Sequence, residues 1–169
     1  MDAPMMRSLP QSIEAEQSVI GAMLIDKNAM AKVFEKLEEE DFYRDGHKVI
    51  YNAIKEMYAK DMAVNLVTLL EHLKSADMLE KAGGVTYISE LSASVPTTAN
   101  LSSYIKIVEE KSTLRKLIKT STSIIEESYN NGGDVEKVID IAQKKIFDLA
   151  ENKDSKEYEP LSSVLERGF

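Results

Sequence analysis

Apolar positions recur every three to four residues through nearly the whole chain, and no run sustains the strict alternation or Val/Ile/Thr density of strands. The pattern predicts an all-α fold. Ser12 precedes IEAEQSVIGAMLID, in which Ile13, Gln17, Ile20 and Leu24 fall along one side. The Ser12 hydroxyl can accept from the orphan N–H groups of the first turn, and Glu14 and Glu16 complement the positive end of the helix dipole. Gly21 lies inside this helix at a cost of ~1 kcal/mol relative to alanine, which a close crossing by another helix would explain. Asn28 is placed to cap AMAKVFEKL, and EEEDFYRDG forms a polar connection pinned by Phe42 and Tyr43. HKVIYNAIKEMYAK then sets Val49 or Ile50, Ala53 or Ile54, and Met57 or Tyr58 on one face. Asn65 caps LVTLLEHLKS, which buries Leu66, Leu69, Leu70 and Leu73. Two short helices, over 78–82 and 85–92, complete a compact multi-helix head spanning residues 1–95.

Pro96 interrupts the pattern because the residue before a proline is pushed out of the α region. From Asn100 to Tyr129 the helical period then runs without a break. Leu101, Ile105, Val108, Leu114 or Arg115, Leu117 or Ile118, Ser121, Ile124 or Ile125, and Ser128 make a stripe with heptad-like spacing. Asn130, Asn131, Gly132 and Gly133 end it, and Asp134 caps a second helix with Val135, Val138, Ile139, Ala142, Ile146 and Leu149 facing inward. Residues 96–152 therefore read as a long antiparallel helical hairpin. At 1.5 Å per residue it reaches about 45 Å, more than so small a head can wrap. Part of its apolar edge needs another chain. Residues 153–169 begin as a polar linker, ENKDSKEYEP, and continue into the start of an amphipathic linker helix through Leu161, Val164 and Leu165. The pattern stops within that element, as expected of a piece of a longer protein.

Charge narrows the choice of partners. Acidic residues outnumber basic ones 29 to 21. Residues 1–99 carry 16 acids and 10 bases, so the head repels a phosphate backbone and tight DNA binding is not expected of it. Without a cysteine there is neither a disulfide framework nor a thiolate nucleophile, and no apolar run approaches the roughly 18 residues of a membrane span. A cytoplasmic protein with no membrane partner is expected.

The sequence offers little that could carry catalysis. His47 and His72 stand in separate predicted helices, where a structural role outweighs a metal or general-base role. No serine sits in an activating G-x-S-x-G or S-x-x-K context. The run Glu38-Glu39-Glu40-Asp41 lacks the alternating ligands and central glycine of a calcium loop and reads as a solvated connection. Gly83-Gly84 invites comparison with a phosphate loop, yet no strand precedes it and Val85-Thr86 stand where Lys-Ser/Thr is required. Gly132-Gly133 is followed by Asp134, whose charge repels phosphate. Both pairs read as left-handed helix stops. No catalytic, cofactor or metal residue is assigned. The most distinctive surface is the first hairpin helix, where Lys111, Arg115 and Lys119 recur beside Ile118 and Thr122.

Five segments in register carry a family pattern: PQSIEAEQSVIGAMLID at 10–26, EDFYRDGHKVIYNAI at 40–54, NLVTLLEHL at 65–73, EKAGGVTYISEL at 80–91 and VPTTANLSSYIKIVEEKSTLRKLI at 95–118. Together they closely resemble the N-terminal domain of the bacterial replicative DNA helicase, the DnaB family. The resemblance implies a helical head and hairpin followed by a linker helix and a RecA-like ATPase domain absent from this chain. It also implies a homo-hexamer in which hairpins pair into dimers, forming a collar on which the C-terminal domain of primase docks. ATP, Mg2+ and most contact with single-stranded DNA would belong to the motor domain of the parent helicase. The residues that the resemblance assigns to primase docking or the subunit interface are Glu14, Tyr87, Ile118 and Ile124, with Arg115, Lys119 and Thr122 in support. An unrelated helical adaptor that binds a peptide helix is the alternative.

Overall fold

Ser12 accepts from the Ala15 amide at 3.2 Å and opens the first helix, α1 (Ile13–Ile25), as its side chain predicts. The computed structural model describes residues 7–95, 97–130 and 133–168, with residues 152–168 described as backbone only. Among these residues there are seven α-helices and no strand. The others are α2 (Lys27–Lys36), α3 (Asp45–Ala59), α4 (Leu66–Ser75), α5 (Gly84–Ala93), α6 (Leu101–Asn130) and α7 (Val135–Gly168). A 3-10 turn at Glu39–Asp41 separates α2 from α3.

The chain divides into two compact units, Met1–Ser112 and Thr113–Phe169. In the first, α1 is central and packs against α2, α3 and α5, while α4 lies against α3 and α5. Its core is built from Ile20, Met23, Leu37, Phe42, Ile50, Tyr51, Ile54, Met57, Leu69 and Ile88, all fully buried. Each such aliphatic or aromatic side chain contributes about 1.5–3 kcal/mol on leaving water. The division falls beyond the break at Pro96 because Leu101, Ile105, Val108 and Ser112 of α6 are also buried in the first unit.

Gly21 shows why α1 carries a glycine. A Cβ there would collide with the Val95 side chain and stand 2.6 Å from the Leu91 carbonyl oxygen, so α1 and the end of α5 cross at backbone contact. The glycine pair at 83–84 is a joint. Gly83 has φ +113° and Gly84 φ +87°, with their amides donating to Glu80 and Leu79 carbonyls at 3.1 and 3.0 Å. The chain stops one set of turns there and enters α5. The short helix expected over 78–82 is a run of turns instead, since left-handed Asp77 and Gly83 close it off at both ends.

Two further expectations change. Asp26, rather than Asn28, caps α2, its carboxylate accepting from the Asn28 amide at 2.9 Å; the α1–α2 connection is one residue long, leaving Asn28 already helical. The polar segment expected as a linker from 153 continues α7 without interruption. Polarity discourages burial but not helix, and Glu and Lys are good helix formers. The side chains of Leu161, Val164 and Leu165, like Pro96, Asn131 and Gly132, lie outside the described residues.

Candidate partner-binding surfaces

In the first unit, polar side chains from three helices form one chain. Glu16 of α1 is 1% exposed, and its carboxylate accepts from the Tyr43 amide at 2.8 Å, the Arg44 amide at 3.4 Å and His47 Nδ1 at 2.8 Å. The first two amides lie immediately ahead of α3, whose N-cap Arg44 makes no side-chain cap of its own. Glu16 is thus a cap delivered from another helix, and its charge faces the positive end of α3 rather than that of α1. Fully buried His47 continues the chain, its Nε2 lying 2.6 Å from the Tyr87 hydroxyl of α5. That hydroxyl also meets Gln17 Nε2 and Arg44 Nη1, each at 3.1 Å. The Arg44 guanidinium carbon stands 5.1 Å over the Tyr87 ring.

Hydrogen counting fixes the direction of this chain. A carboxylate only accepts, so His47 Nδ1 carries hydrogen. Gln17 and Arg44 donate to both lone pairs of the Tyr87 oxygen, so its own hydrogen goes to His47 Nε2. Every donor then points inward, from Arg44 through Tyr87 and His47 to Glu16. A second buried bond joins Asp41 to Ser112, whose hydroxyl donates to Asp41 Oδ1 at 2.6 Å while Asp41 Oδ2 accepts from the Glu38 amide at 2.7 Å. The last acid of the run read as solvated is therefore internal. Nearby, the Tyr51 hydroxyl donates to the Leu37 carbonyl at 2.5 Å, and burial, together with Glu38 and Asp41, pushes its pKa well up.

The predicted residues separate into three groups. Tyr87 is half-buried in the polar chain, and Glu14 is exposed one turn before Gln17 on the same side of α1. On α6, Leu114, Ile118, Ile125 and Tyr129 are 44, 43, 55 and 87% exposed and lie within about 60° of one another around the helix. Thr122 borders this stripe, with Arg115 and then Lys119 further round the same side. Ile124 is half-buried and about 120° away from Ile118, so these two isoleucines serve different faces. On α7, Val135, Ile139 and Ile146, expected to face inward, are 70, 50 and 41% exposed, while Val138, Ile141, Ala142 and Leu149 are half-buried. Two helices alone cannot enclose stripes this wide. Sequence reasoning missed Glu16, His47 and Arg44 as a group. The available signal was that Glu16 precedes Val19, Ile20 and Met23 on a core face, and His47 precedes Ile50, Tyr51 and Ile54 in the same way, so each needed a buried partner.

Among the described residues, no three His, Asp or Glu side chains are grouped to hold a metal ion, and no helix is long and apolar enough to cross a membrane. What the surface offers is contact: an exposed arginine fixed on an aromatic ring and apolar stripes at helical spacing. Both features belong to an all-helical domain.

Residues 8–110 match the family model described as the DnaB-like helicase N terminal domain. The chain belongs to this family, which replaces the alternative of an unrelated adaptor. It is 41% identical over 156 residues to the replicative DNA helicase DnaC of Bacillus subtilis (strain 168) and 42% identical over 156 to DnaB of Geobacillus stearothermophilus. These matches cover 92% of this chain and 34% of each relative, so the chain spans about a third of their length. The crystal structure of the N-terminal domain of DnaB helicase from Mycobacterium tuberculosis superposes with a TM-score of 0.77 at 40% identity, covering 83% of this chain and 99% of that one. A structure of a DnaB-like replicative helicase, described with its interactions with primase, aligns at a TM-score of 0.67 and 26% identity over 86% of this chain and 34% of that one.

Proposed function

We propose that this chain is the collar-forming and primase-docking domain of a hexameric replicative DNA helicase. The observation that carries the reading is the pair of exposed apolar stripes, Leu114/Ile118/Ile125/Tyr129 on α6 and Val135/Ile139/Ile146 on α7. Covering several such side chains at a helix pair supplies the hydrophobic term that self-association needs, and heptad-like spacing suits another helical hairpin. Hairpins of neighbouring subunits pair through these stripes, and the primase C-terminal domain docks on the resulting collar. Glu14, Tyr87, Arg115, Ile118, Lys119, Thr122 and Ile124 contribute to docking or to its coupling. ATP hydrolysis with Mg2+ and most contact with single-stranded DNA belong to a motor domain elsewhere in the full-length cytoplasmic protein. Primase binding that favours one collar geometry then biases the motor, and linkage requires the reverse effect as well.

Light scattering of the full-length protein and titration with the primase C-terminal domain test this. A ring that Ile118→Asn and Ile125→Asp weaken, and that binds primase, is expected. A full-length protein that stays monomeric at high concentration and binds no primase would end the proposal.

A further inference from the structure

Arg44 is exposed, yet its guanidinium is already held. Nη1 donates to the Tyr87 hydroxyl at 3.1 Å and the group lies over that ring at 5.1 Å. A free surface arginine carries about 2 kcal/mol of rotamer entropy, part of which must be surrendered on binding; here the anchoring has removed some of it beforehand. The anchor is itself rigid, because Tyr87 is tied through His47 to buried Glu16 and through Gln17 to α1. Among the described residues Arg44 forms no ion pair, although the sequence holds 29 carboxylates; its neighbour Lys48 takes Asp45 at 3.5 Å, and Glu16 faces inward. Of the five N–H donors of a guanidinium, one is engaged and the fork remains open to an incoming acceptor.

We infer that Arg44 is a preorganised anchor for a carboxylate on the docking partner, and that Tyr87, His47 and Glu16 are the positioning residues that hold it. The inference rests on the primase-docking reading and deepens it. The Tyr87 hydroxyl, with its donor and both lone pairs used inside the domain, has nothing left to offer a partner. Its part in docking is to aim Arg44. The occupant is an acidic side chain of a protein rather than a phosphodiester, since residues 1–99 carry 16 acids against 10 bases and Glu14 and Asp45 are exposed on the same unit. A polyanion meets repulsion there that a single carboxylate in a mixed-charge helix avoids.

The test uses the full-length protein, with the primase C-terminal domain and a single-stranded oligonucleotide as separate probes across a salt series. Arg44→Ala is expected to weaken primase binding about tenfold and to flatten its salt dependence, with oligonucleotide binding unchanged. Arg44→Lys should not restore binding, because an ammonium has no planar fork. Tyr87→Phe, which keeps the ring and releases the anchor, should lose about threefold with the salt dependence retained. Wild-type primase binding that Arg44→Ala leaves equally tight and equally salt-dependent would overturn the anchor while sparing the docking reading. Loss of oligonucleotide binding alone would overturn it in favour of a phosphate site. Failure of the wild-type protein to bind primase would instead remove the docking reading on which it stands.

Discussion

Replacing Glu16 by glutamine keeps the shape of the side chain and removes its charge, which isolates what that carboxylate holds together. Three donors converge on it: the Tyr43 amide and His47 Nδ1 at 2.8 Å and the Arg44 amide at 3.4 Å. A hydrogen bond to a charged acceptor contributes about 1.5–3 kcal/mol, and the longest of these three less. Glutamine retains one accepting oxygen but turns an NH2 group toward a second donor, so about one strong bond is lost and a donor–donor contact replaces it. His47 cannot relieve the clash by moving its hydrogen to Nε2, where the Tyr87 oxygen already accepts from Gln17 and Arg44. Adding up to about 1 kcal/mol for the uncapped dipole of α3 gives a destabilisation of about 3 kcal/mol. For a unit of this size that lowers the melting temperature by roughly 12–24 °C. Urea unfolding followed by far-UV circular dichroism measures it, with exposed Glu14→Gln as a control expected to stay within about 0.5 kcal/mol. A Glu16→Gln loss below about 1 kcal/mol, or one matched by Glu14→Gln, would refute the reasoning that this carboxylate caps α3.

Other expectations test other contacts. Tyr51→Phe orphans the buried Leu37 carbonyl and should cost about 1–2 kcal/mol at neutral pH. Because the folded protein holds this phenol above its ordinary value of about 10, the wild type keeps its full contribution below that pH and loses it as pH rises beyond, so the gap to the variant should narrow in alkali; a gap that widens would contradict this. Gly21→Ala drives a methyl into the Leu91 carbonyl and Val95, and despite alanine's better helix propensity it should destabilise by about 1–3 kcal/mol in thermal melts; unchanged or raised stability would show that the crossing can open freely. Ser112→Ala leaves Asp41 Oδ1 without its 2.6 Å donor and is expected to cost about 1–2 kcal/mol by denaturant titration, whereas Ser121→Ala on the exposed side of α6 should cost nothing measurable.

The features read correctly from sequence are those decided within a few residues. Ser12 and Asn65 cap their helices through amides three positions on, Asp134 accepts from the Lys137 amide at 3.1 Å, and the glycine pair ends its turns through Glu80 and Leu79. Periodicity placed α1 to α5 because each packs one face into a common core, while the helix expected over 78–82 is a run of turns. The polar chain was not legible in the same way. Glu16 in a first turn looks like a partner for its own helix dipole, and only the arrival of His47, 31 positions later, turns it inward. Asp41 was hidden by three acidic neighbours, since a run of like charges conceals a single buried member. The heptad spacing of the hairpin stripe could not say which positions the two helices cover for each other and which they leave exposed. Ile124 and Ile118 fell on opposite sides of that division.

The helix α6 belongs to both units while being one uninterrupted run of hydrogen bonds from Leu101 to Asn130. Its first part is locked by Leu101, Ile105, Val108 and Ser112, and beyond Ser112 no residue of it is fully buried. Amide hydrogens along this single rod therefore exchange with solvent on two clocks: near the rate of global opening before Ser112, and at the faster rate of local opening after it. If another hairpin covers the exposed stripes, as proposed, only the second clock slows, so the exchange profile of one helix would report assembly with its own internal reference.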